Sequence, residues 1–307
     1  MKRVIKIAVI CSIIFLITSL APAEVKKTEP PKTIEEIYPN LTSGVLTFAR
    51  TGELAKGVLL KAENVEIRPE DINKHIEAQP AQLRESLQKN AFFVLEQEAT
   101  NKLLLQVARK TAQNPGGEDA KKLIDSYIKQ LTEKVTVTEQ DIQKFYIENE
   151  SVFCGTPLEK VKDRIGPYVL QEKKQRLVTE HIRTLGQRVD ITVSAAWVKQ
   201  QAALAKDNPL DKVRSNGKPT LAVFSAASCC GPDKMLPVLD SLKSKYAKTV
   251  NIMYLEARKE QILASRYGIR SIPTQVFFDK AGKEVFRHTG FFSKDQISKK
   301  LVEMGVK

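Results

Sequence analysis

Residues 221–233 read Leu-Ala-Val-Phe-Ser-Ala-Ala-Ser-Cys-Cys-Gly-Pro-Asp, and this stretch decides the fold of the C-terminal third of the chain. The apolar residues 221–224 predict a buried strand, and the residues after Asp233 have helical periodicity. Between a strand and a helix N-terminus, the helix dipole and free N–H groups favour a thiolate over a thiol. The stretch therefore predicts a redox site at Cys229 or Cys230.

The residues around this stretch alternate between strand and helix patterns, which is typical of an α/β sheet domain. We expect this domain to cover residues 209–307. In its first helix, Leu236, Leu239 and Leu242 are predicted to share the buried side, and Gly268 is predicted to end the second helix. The predicted strands are 220–224, 249–255, 274–278 and 284–287, and the predicted helices are 234–247, 260–267 and 293–304.

Two further motifs carry a family resemblance. Residues 267–274 read Tyr-Gly-Ile-Arg-Ser-Ile-Pro-Thr, and residues 277–284 read Phe-Phe-Asp-Lys-Ala-Gly-Lys-Glu. Together with the cysteine stretch they resemble the thioredoxin family over the whole of this segment, which implies a mixed sheet flanked by helices. The resemblance also implies a cis peptide bond before Pro273, which then belongs to the catalytic site. It implies in addition that Ile272, Thr274 and Gly290 bind substrate polypeptide.

The predicted site departs from the family at its second cysteine. Counting without gaps along the strand puts Cys229 at the nucleophile and Pro232 at the resolving cysteine. A shift of one residue makes Cys230 the nucleophile and puts Asp233 at the second position. Neither Pro232 nor Asp233 can release a mixed disulfide. The family's buried acid is replaced by Val223, and the charge of Asp233 opposes a lowered thiol pKa.

Several interpretations of these cysteines stay open. Cys229 forms mixed disulfides that Cys154, Cys230 or an external thiol resolves, or the domain is redox-inert and binds extended peptides beside Pro273. A Cys229–Cys230 disulfide could act as a switch. Two adjacent thiols with His288 fit the usual metal-ligand spacings poorly, so no metal or cofactor is expected. Both cysteines could also be small buried residues without chemistry.

The first 23 residues have the pattern of a secretory signal peptide, with a basic start, an apolar run over 7–20 and a cleavage motif ending at Ala23. The alternative is an uncleaved anchor, but the run is short for a membrane span of roughly 20 residues. We therefore expect a periplasmic or otherwise exported protein, with no stable membrane insertion after cleavage. Cys11 is lost with the signal, and the other three cysteines enter an oxidising compartment.

Residues 24–56 are predicted to form a linker or N-terminal arm, in which residues 44–48 could form a short extended piece. Residues 57–208 are predicted to form a mostly α-helical domain without a catalytic constellation, in which His75 and His181 are surface or capping side chains. Thr138 and Asp141 resemble a capping box. The predicted helices are 71–78, 81–113 with a break near Asn90, 118–133, 139–149, 157–188 with a kink at 166–167, and 197–205, with a strand at 190–193.

The order of motifs in this helical region resembles the SurA-type periplasmic chaperones over residues 57–193. The motifs are Glu-Asp-Ile at 70–72, Leu-Leu-Leu at 103–105, Val-Thr-Glu-Gln-Asp-Ile at 137–142, Phe-Tyr-Ile-Glu-Asn at 145–149 and Val-Lys-Asp-Arg-Ile at 161–165. Between Tyr146 and Val161 there is no room for a parvulin domain. The resemblance therefore implies a polypeptide-binding module and not a prolyl isomerase.

The composition is that of a globular protein, with 307 residues, 42% hydrophobic and 28% charged, and a formal net charge of +13. Much of the excess lies in residues 211–307, which hold 18 basic and 9 acidic residues without aromatic interleaving, so nucleic acid is not an expected partner. The sequence predicts thiol–disulfide exchange on unfolded or disulfide-bearing exported polypeptides, with an external thiol or reductase as a further partner. The alternative is a redox-inactive chaperone or assembly factor.

Overall fold

The computed structural model describes residues 31–112, 119–149, 153, 155–226 and 235–306. The signal-peptide pattern, Cys154 and the stretch Cys229–Asp233 with its two cysteines lie outside the described residues. The chain divides into a unit over Met1–Pro31 and a compact unit over Lys32–Lys307, which holds every element described below. Within the described ranges, no helix is both long enough and apolar enough to span a bilayer.

The N-terminal part of the larger unit combines helices with a small sheet. The elements of this part are α1 (Ile34–Ile37), a 3₁₀ turn (Val45–Phe48), β1 (Arg50–Gly52), β2 (Leu60–Ala62), β3 (Val65–Ile67), α2 (Pro69–Glu77), α3 (Ala81–Lys89), α4 (Ala91–Thr111), α5 (Ala120–Thr132), α6 (Glu139–Glu148), a 3₁₀ turn (Leu158–Lys160), α7 (Lys162–Arg188), β4 (Ile191–Ser194) and α8 (Ala195–Ala205). The sheet has the strand order β1-β4-β2-β3, in which β1 and β4 are parallel and the other pairs antiparallel.

The local helix signals are confirmed in this part. The chain breaks at Asn90 between α3 and α4. The capping box forms because the Asp141 N–H donates to Thr138 Oγ1 at 3.2 Å and the Thr138 N–H donates to Asp141 Oδ2 at 2.9 Å. The strand predicted at 190–193 is β4. The kink predicted at 166–167 stays a prediction.

Residues 34–52 differ from the predicted linker or arm. Ile34, Val45 and Leu46 are fully buried and belong to the same core as α4 and α8, and β1 is an edge strand of the sheet. The sequence predicts a short extended piece at residues 44–48, but residues 45–48 form a 3₁₀ turn. The Glu96 carboxylate of α4 stabilises this turn by accepting hydrogen bonds from the N–H groups of Gly44 and Leu46.

The C-terminal part has the predicted alternation of strands and helices. The elements of this part are α9 (Pro209–Arg214), β5 (Thr220–Ser225), α10 (Met235–Tyr246), β6 (Asn251–Glu256), α11 (Gln261–Arg266), β7 (Thr274–Phe278), β8 (Glu284–Thr289) and α12 (Lys294–Glu303). The sheet has the order β6-β5-β7-β8, in which β5 and β6 are parallel and the other pairs antiparallel. Separate apolar clusters cover the two faces of the sheet, one under α10 and α12 and the other under α9 and α11.

Two details of this part differ from the sequence prediction. Leu236 is 41% exposed, and Met235 takes the buried position with Leu239 and Leu242, because the helix phase is shifted by one residue. The sequence pattern does not predict α9: Asn208 accepts the Asp211 N–H at 2.9 Å and so begins a helix where the pattern only indicates an end.

The two parts meet at a buried ionic cluster. Asp211 pairs with Arg214 at 2.7 Å and with Arg266 at 3.3 Å, and it accepts the Tyr267 hydroxyl at 2.6 Å. Burial alone would raise the pKa of Asp211, but Arg266 and the other partners outweigh it and hold the pKa below its usual range. Arg266 also donates to the Ala205 carbonyl of α8 at 2.9 Å, so the cluster ties α11 to the helical part. The domain boundary near residue 208 stays a prediction.

Candidate functional site

The register between β5 and β7 defines one edge of the C-terminal sheet. Phe224 lies opposite Thr274 in an antiparallel pair. The residues that follow Phe224, toward the cysteine stretch, and the residues that precede Thr274 therefore leave the sheet at the same edge. The peptide bond between Ile272 and Pro273 is cis.

The loop before β7 is held by backbone and hydroxyl contacts. The Gly290 N–H donates to the Pro273 carbonyl at 2.8 Å, and the Thr274 hydroxyl donates to the Ser271 carbonyl. Ile272 is 41% exposed and presents an apolar side chain to solvent. Thr274 is buried, with only 2% of the residue exposed, and its backbone is paired with both neighbouring strands. Of these two predicted peptide-binding residues, only Ile272 offers a side chain to a partner.

A neutral pair lies beneath this edge. Val223, at the position where the resemblance puts the family's buried acid, is fully buried opposite Gln275. Gln275 donates to the Gly290 carbonyl at 3.0 Å, while its Oε1 has no partner among the described residues. Neither side chain titrates, so this pair cannot take up a proton from a thiol.

His288 lies on β8 beside the same edge. Its ring stacks on Phe292 with centroids 4.4 Å apart, and Nε2 lies 3.3 Å from the Phe291 carbonyl oxygen. Burial lowers the pKa of His288, while the Phe291 carbonyl and the Glu148 carboxylate act in the opposite direction. In the described part of the chain, no group of three or more His, Cys, Asp or Glu side chains is arranged to hold a metal ion.

The helical part reaches this edge through α6 and α7. Asn149, the residue that ends α6, is 5% exposed and lies against Gly290. Burial raises the pKa of the Tyr168 hydroxyl on α7, and the nearby side chain of Ser271 acts in the opposite direction. No periodicity or motif in the sequence indicates these contacts, because each joins residues more than a hundred positions apart.

A buried carboxylate to which the sequence assigns no role lies on α4. Glu96 accepts the N–H groups of Ser43 at 2.8 Å, Gly44 at 2.8 Å and Leu46 at 3.1 Å. Burial raises the pKa of Glu96, and these hydrogen bonds oppose that rise. A cavity of about 330 Å³ lies beside it, between α4, α7 and Arg270. Since Glu96 is surrounded by its own donors, it stabilises the 3₁₀ turn and leaves no free acceptor for chemistry.

The sheet order, the cis bond before Pro273 and the helices on both faces define a thioredoxin-like α/β domain. The family model described as a thioredoxin-like domain matches residues 207–305. The thioredoxin of Chlorobaculum thiosulfatiphilum is 41% identical over 78 residues, which are 25% of this chain and 71% of that protein. The thioredoxin of Chlamydia muridarum is 37% identical over 97 residues, which are 31% of this chain and 90% of that protein. Through this domain, the chain belongs to the thioredoxin family.

A protein disulfide-isomerase and a solved thioredoxin structure are also similar to this chain. Protein disulfide-isomerase erp38 of Neurospora crassa is 34% identical over 118 residues, but the match covers only 32% of that protein. The structure of a mutant thioredoxin from Halobacterium salinarum NRC-1 is 35% identical over 32% of this chain and 83% of that chain, with a TM-score of 0.28. The resemblance of the helical part to SurA-type chaperones stays a prediction.

Proposed function

We propose that the protein is exported and carries out thiol–disulfide exchange on exported polypeptides, with Cys229 as the nucleophile. The observation that carries this proposal is the pairing of Phe224 with Thr274, since it supports a common sheet edge for the cysteine stretch and Pro273. The relatives, which include thioredoxins and a protein disulfide-isomerase, support a redox role at the level of the family.

The proposed reaction uses two exchange steps. The Cys229 thiolate attacks one sulfur of a client disulfide, a new S–S bond forms, and the other client sulfur leaves as a thiolate that takes up a proton. A second thiol then attacks Cys229 and releases the client as a dithiol. That thiol comes from Cys154, Cys230 or an external thiol, and an external thiol or reductase supplies the two electrons that restore the free Cys229.

The proposed client is an unfolded or disulfide-bearing polypeptide outside the cytoplasm. The signal-peptide pattern supports export with cleavage after Ala23, and the motif order in residues 57–193 supports a polypeptide-binding role for the helical part. The exposed Ile272 beside Pro273 suits an extended client segment with apolar side chains.

The nucleophile is tested with insulin as the disulfide substrate and glutathione as the external thiol. We expect the chain from Glu24 to accelerate insulin reduction and Cys229→Ser to lose at least about tenfold of that rate. Cys230→Ser is the matched control, because it removes the neighbouring thiol with the same change in volume. Equal rates for the wild type and Cys229→Ser would exclude Cys229, and loss only in Cys230→Ser would assign the nucleophile to the alternative register.

A redox-inactive polypeptide-binding protein is the second candidate. The observation that favours it is the neutral pair Val223 and Gln275, since the edge has no proton acceptor there. In this case the variant with Cys154, Cys229 and Cys230 all changed to Ser should suppress aggregation of an unfolded client as well as the wild type does. Loss of suppression in that variant would remove this candidate.

A further inference from the structure

Gly290 is the third residue predicted to bind client polypeptide, and the chain itself occupies the space beside it. Gly290 has a φ of +104°, which favours glycine, and a Cβ placed there would collide with Asn149 Oδ1 and lie 3.0 Å from Asn149 Cγ. The glycine therefore allows a close approach, and the group that approaches is the side chain that ends α6.

Two more contacts join the same end of the helical part to the same edge of the sheet. The Tyr168 side chain lies close to that of Ser271, two residues before Pro273. The Glu148 carboxylate is near enough to His288 for its charge to oppose the lowering of the His288 pKa. The loop before β7 and the residues that follow β8 thus both lie beside α6 and the beginning of α7.

The group that makes these contacts is internally ordered. Asn149 donates its Nδ2–H to the Phe145 carbonyl at 2.9 Å, and the ring of Phe145 lies 5.1 Å from that of Tyr168. Lys173 pairs with Asp141 at 2.7 Å and joins α7 to the start of α6. A small apolar cluster around Val161, Ile165 and Val169 holds the two helices together, and it is separate from the three other core clusters of the described residues.

The junction between the two parts therefore has two ends of different character. At one end, Ile262 packs into the core of the helical part, and Arg266 is buried with Ala205 and Asp211. At the other end, Asn149 lies against Gly290 and Tyr168 lies beside Ser271, and neither residue belongs to a core cluster of the described residues. Contacts made by polar side chains outside an apolar core contribute little net free energy, since water replaces them when they open.

We propose that α6 with the beginning of α7 is an intramolecular cover of the client surface at Gly290, and that an extended apolar polypeptide segment binds there only after Asn149 has left. The inference rests on the proposed function, because the surface is taken from the predicted client site. The inference goes beyond the proposed function because it names α6 of the same chain as the competitor of the client polypeptide.

The cover is tested by hydrogen exchange of the full chain with Asn149→Ala and Tyr168→Phe. Neither residue lies on the thioredoxin part, so the client surface is unchanged. Tyr127→Phe is the matched control, since it removes the same hydroxyl group from a tyrosine of the helical part that contacts His181 at 2.8 Å, away from the sheet edge. We expect faster exchange over residues 286–292 in the first two variants and wild-type exchange in the control.

The effect on clients is measured with S-carboxymethylated α-lactalbumin, an unfolded polypeptide without free thiols or disulfides. Loss of the Tyr168 hydroxyl from the cover should tighten the binding of this polypeptide about fivefold in Tyr168→Phe, and Tyr127→Phe should leave the binding unchanged. Unchanged exchange over residues 286–292 overturns the cover but leaves the thiol chemistry, which the insulin assay tests separately. Faster exchange without tighter binding overturns the competition between the cover and the client.

Discussion

Gly186 on α7 is a position where one added methyl group should lower stability, because it faces backbone atoms. A Cβ added there would overlap the Val45 carbonyl oxygen and lie 2.8 Å from Val45 C and 2.9 Å from Val45 Cα. All three atoms are backbone, so they cannot move aside as a flexible side chain would. In Gly186→Ala, either α7 or the 3₁₀ turn must shift.

The size of the effect follows from two opposing contributions. Overpacking of a buried position costs about 3 kcal/mol at the upper end of its usual range. Alanine in place of glycine inside a helix returns about 1 kcal/mol. We therefore expect Gly186→Ala to lower the free energy of unfolding by about 2 kcal/mol.

Urea denaturation followed by circular dichroism measures this difference, with Gly166→Ala as the control on the same helix. Apart from its chain neighbours, a Cβ on Gly166 would meet Ile142 Cδ1 at 3.7 Å, an ordinary contact. That variant should stay within about 1 kcal/mol of the wild type, because the gain from alanine in a helix is opposed by the restriction that Pro167 places on the residue before it. If Gly186→Ala were as stable as Gly166→Ala, the close packing of α7 on residues 45–48 would be refuted, and with it the inclusion of this segment in the core.

Two further predictions concern carboxylates. Glu96→Gln keeps one acceptor oxygen but turns an NH₂ toward the N–H donors of residues 43–46, so it should lower the free energy of unfolding by about 3 kcal/mol. The control Glu98→Gln loses a single half-buried contact with His75 and should lower the free energy of unfolding by under about 1 kcal/mol. Equal losses of the two variants in urea denaturation would contradict this expectation. Hydrogen bonds from Lys173 and Thr138 lower the pKa of Asp141 to about 2, so its contribution to stability is present above its usual pKa and is lost as the pH falls through about 2. The stability difference between the wild type and Asp141→Asn should therefore shrink from about pH 5 to about pH 2, and a constant difference would refute the assignment.

Short-range signals predict the elements well, and long-range contacts set the rest. The break at Asn90 and the capping box at Thr138 depend on residues at most four positions away, so both can be predicted from the local sequence. The parallel pairing of Arg50–Gly52 with β4 brings together two ends of the helical part, and nothing in either strand specifies it. Residues 34–52 therefore have the sequence pattern of an arm although they complete a sheet and a core.

The candidate site shows the same division. The motif around Pro273 identifies the family because its residues are contiguous, and the strand pattern predicts one strand that ends at Phe224 and another that begins at Thr274. Their pairing in the sheet comes from the structure. The role of Glu96 depends on donors that are 50 to 53 residues away. The contact of Asn149 with Gly290 joins the two parts of the chain, so neither family resemblance contains it.

The course of α7 decides which end of the junction can open. Gly186 fixes one end of the helix against Val45, while Tyr168 lies 18 residues earlier, about 27 Å away along the axis. Pro167, immediately before Tyr168, has no N–H to donate to the Asp163 carbonyl, so the helix lacks a backbone hydrogen bond at this end. The small cluster of Val161, Ile165 and Val169, which unites α6 with α7, spans the position of this missing bond. The helix is thus least constrained beside the residues that cover Gly290 and most constrained where it packs into the core. A displacement of the cover therefore breaks the contacts of Asn149 and Tyr168 with the sheet edge, about 27 Å along α7 from Gly186, and leaves the packing at Gly186 intact.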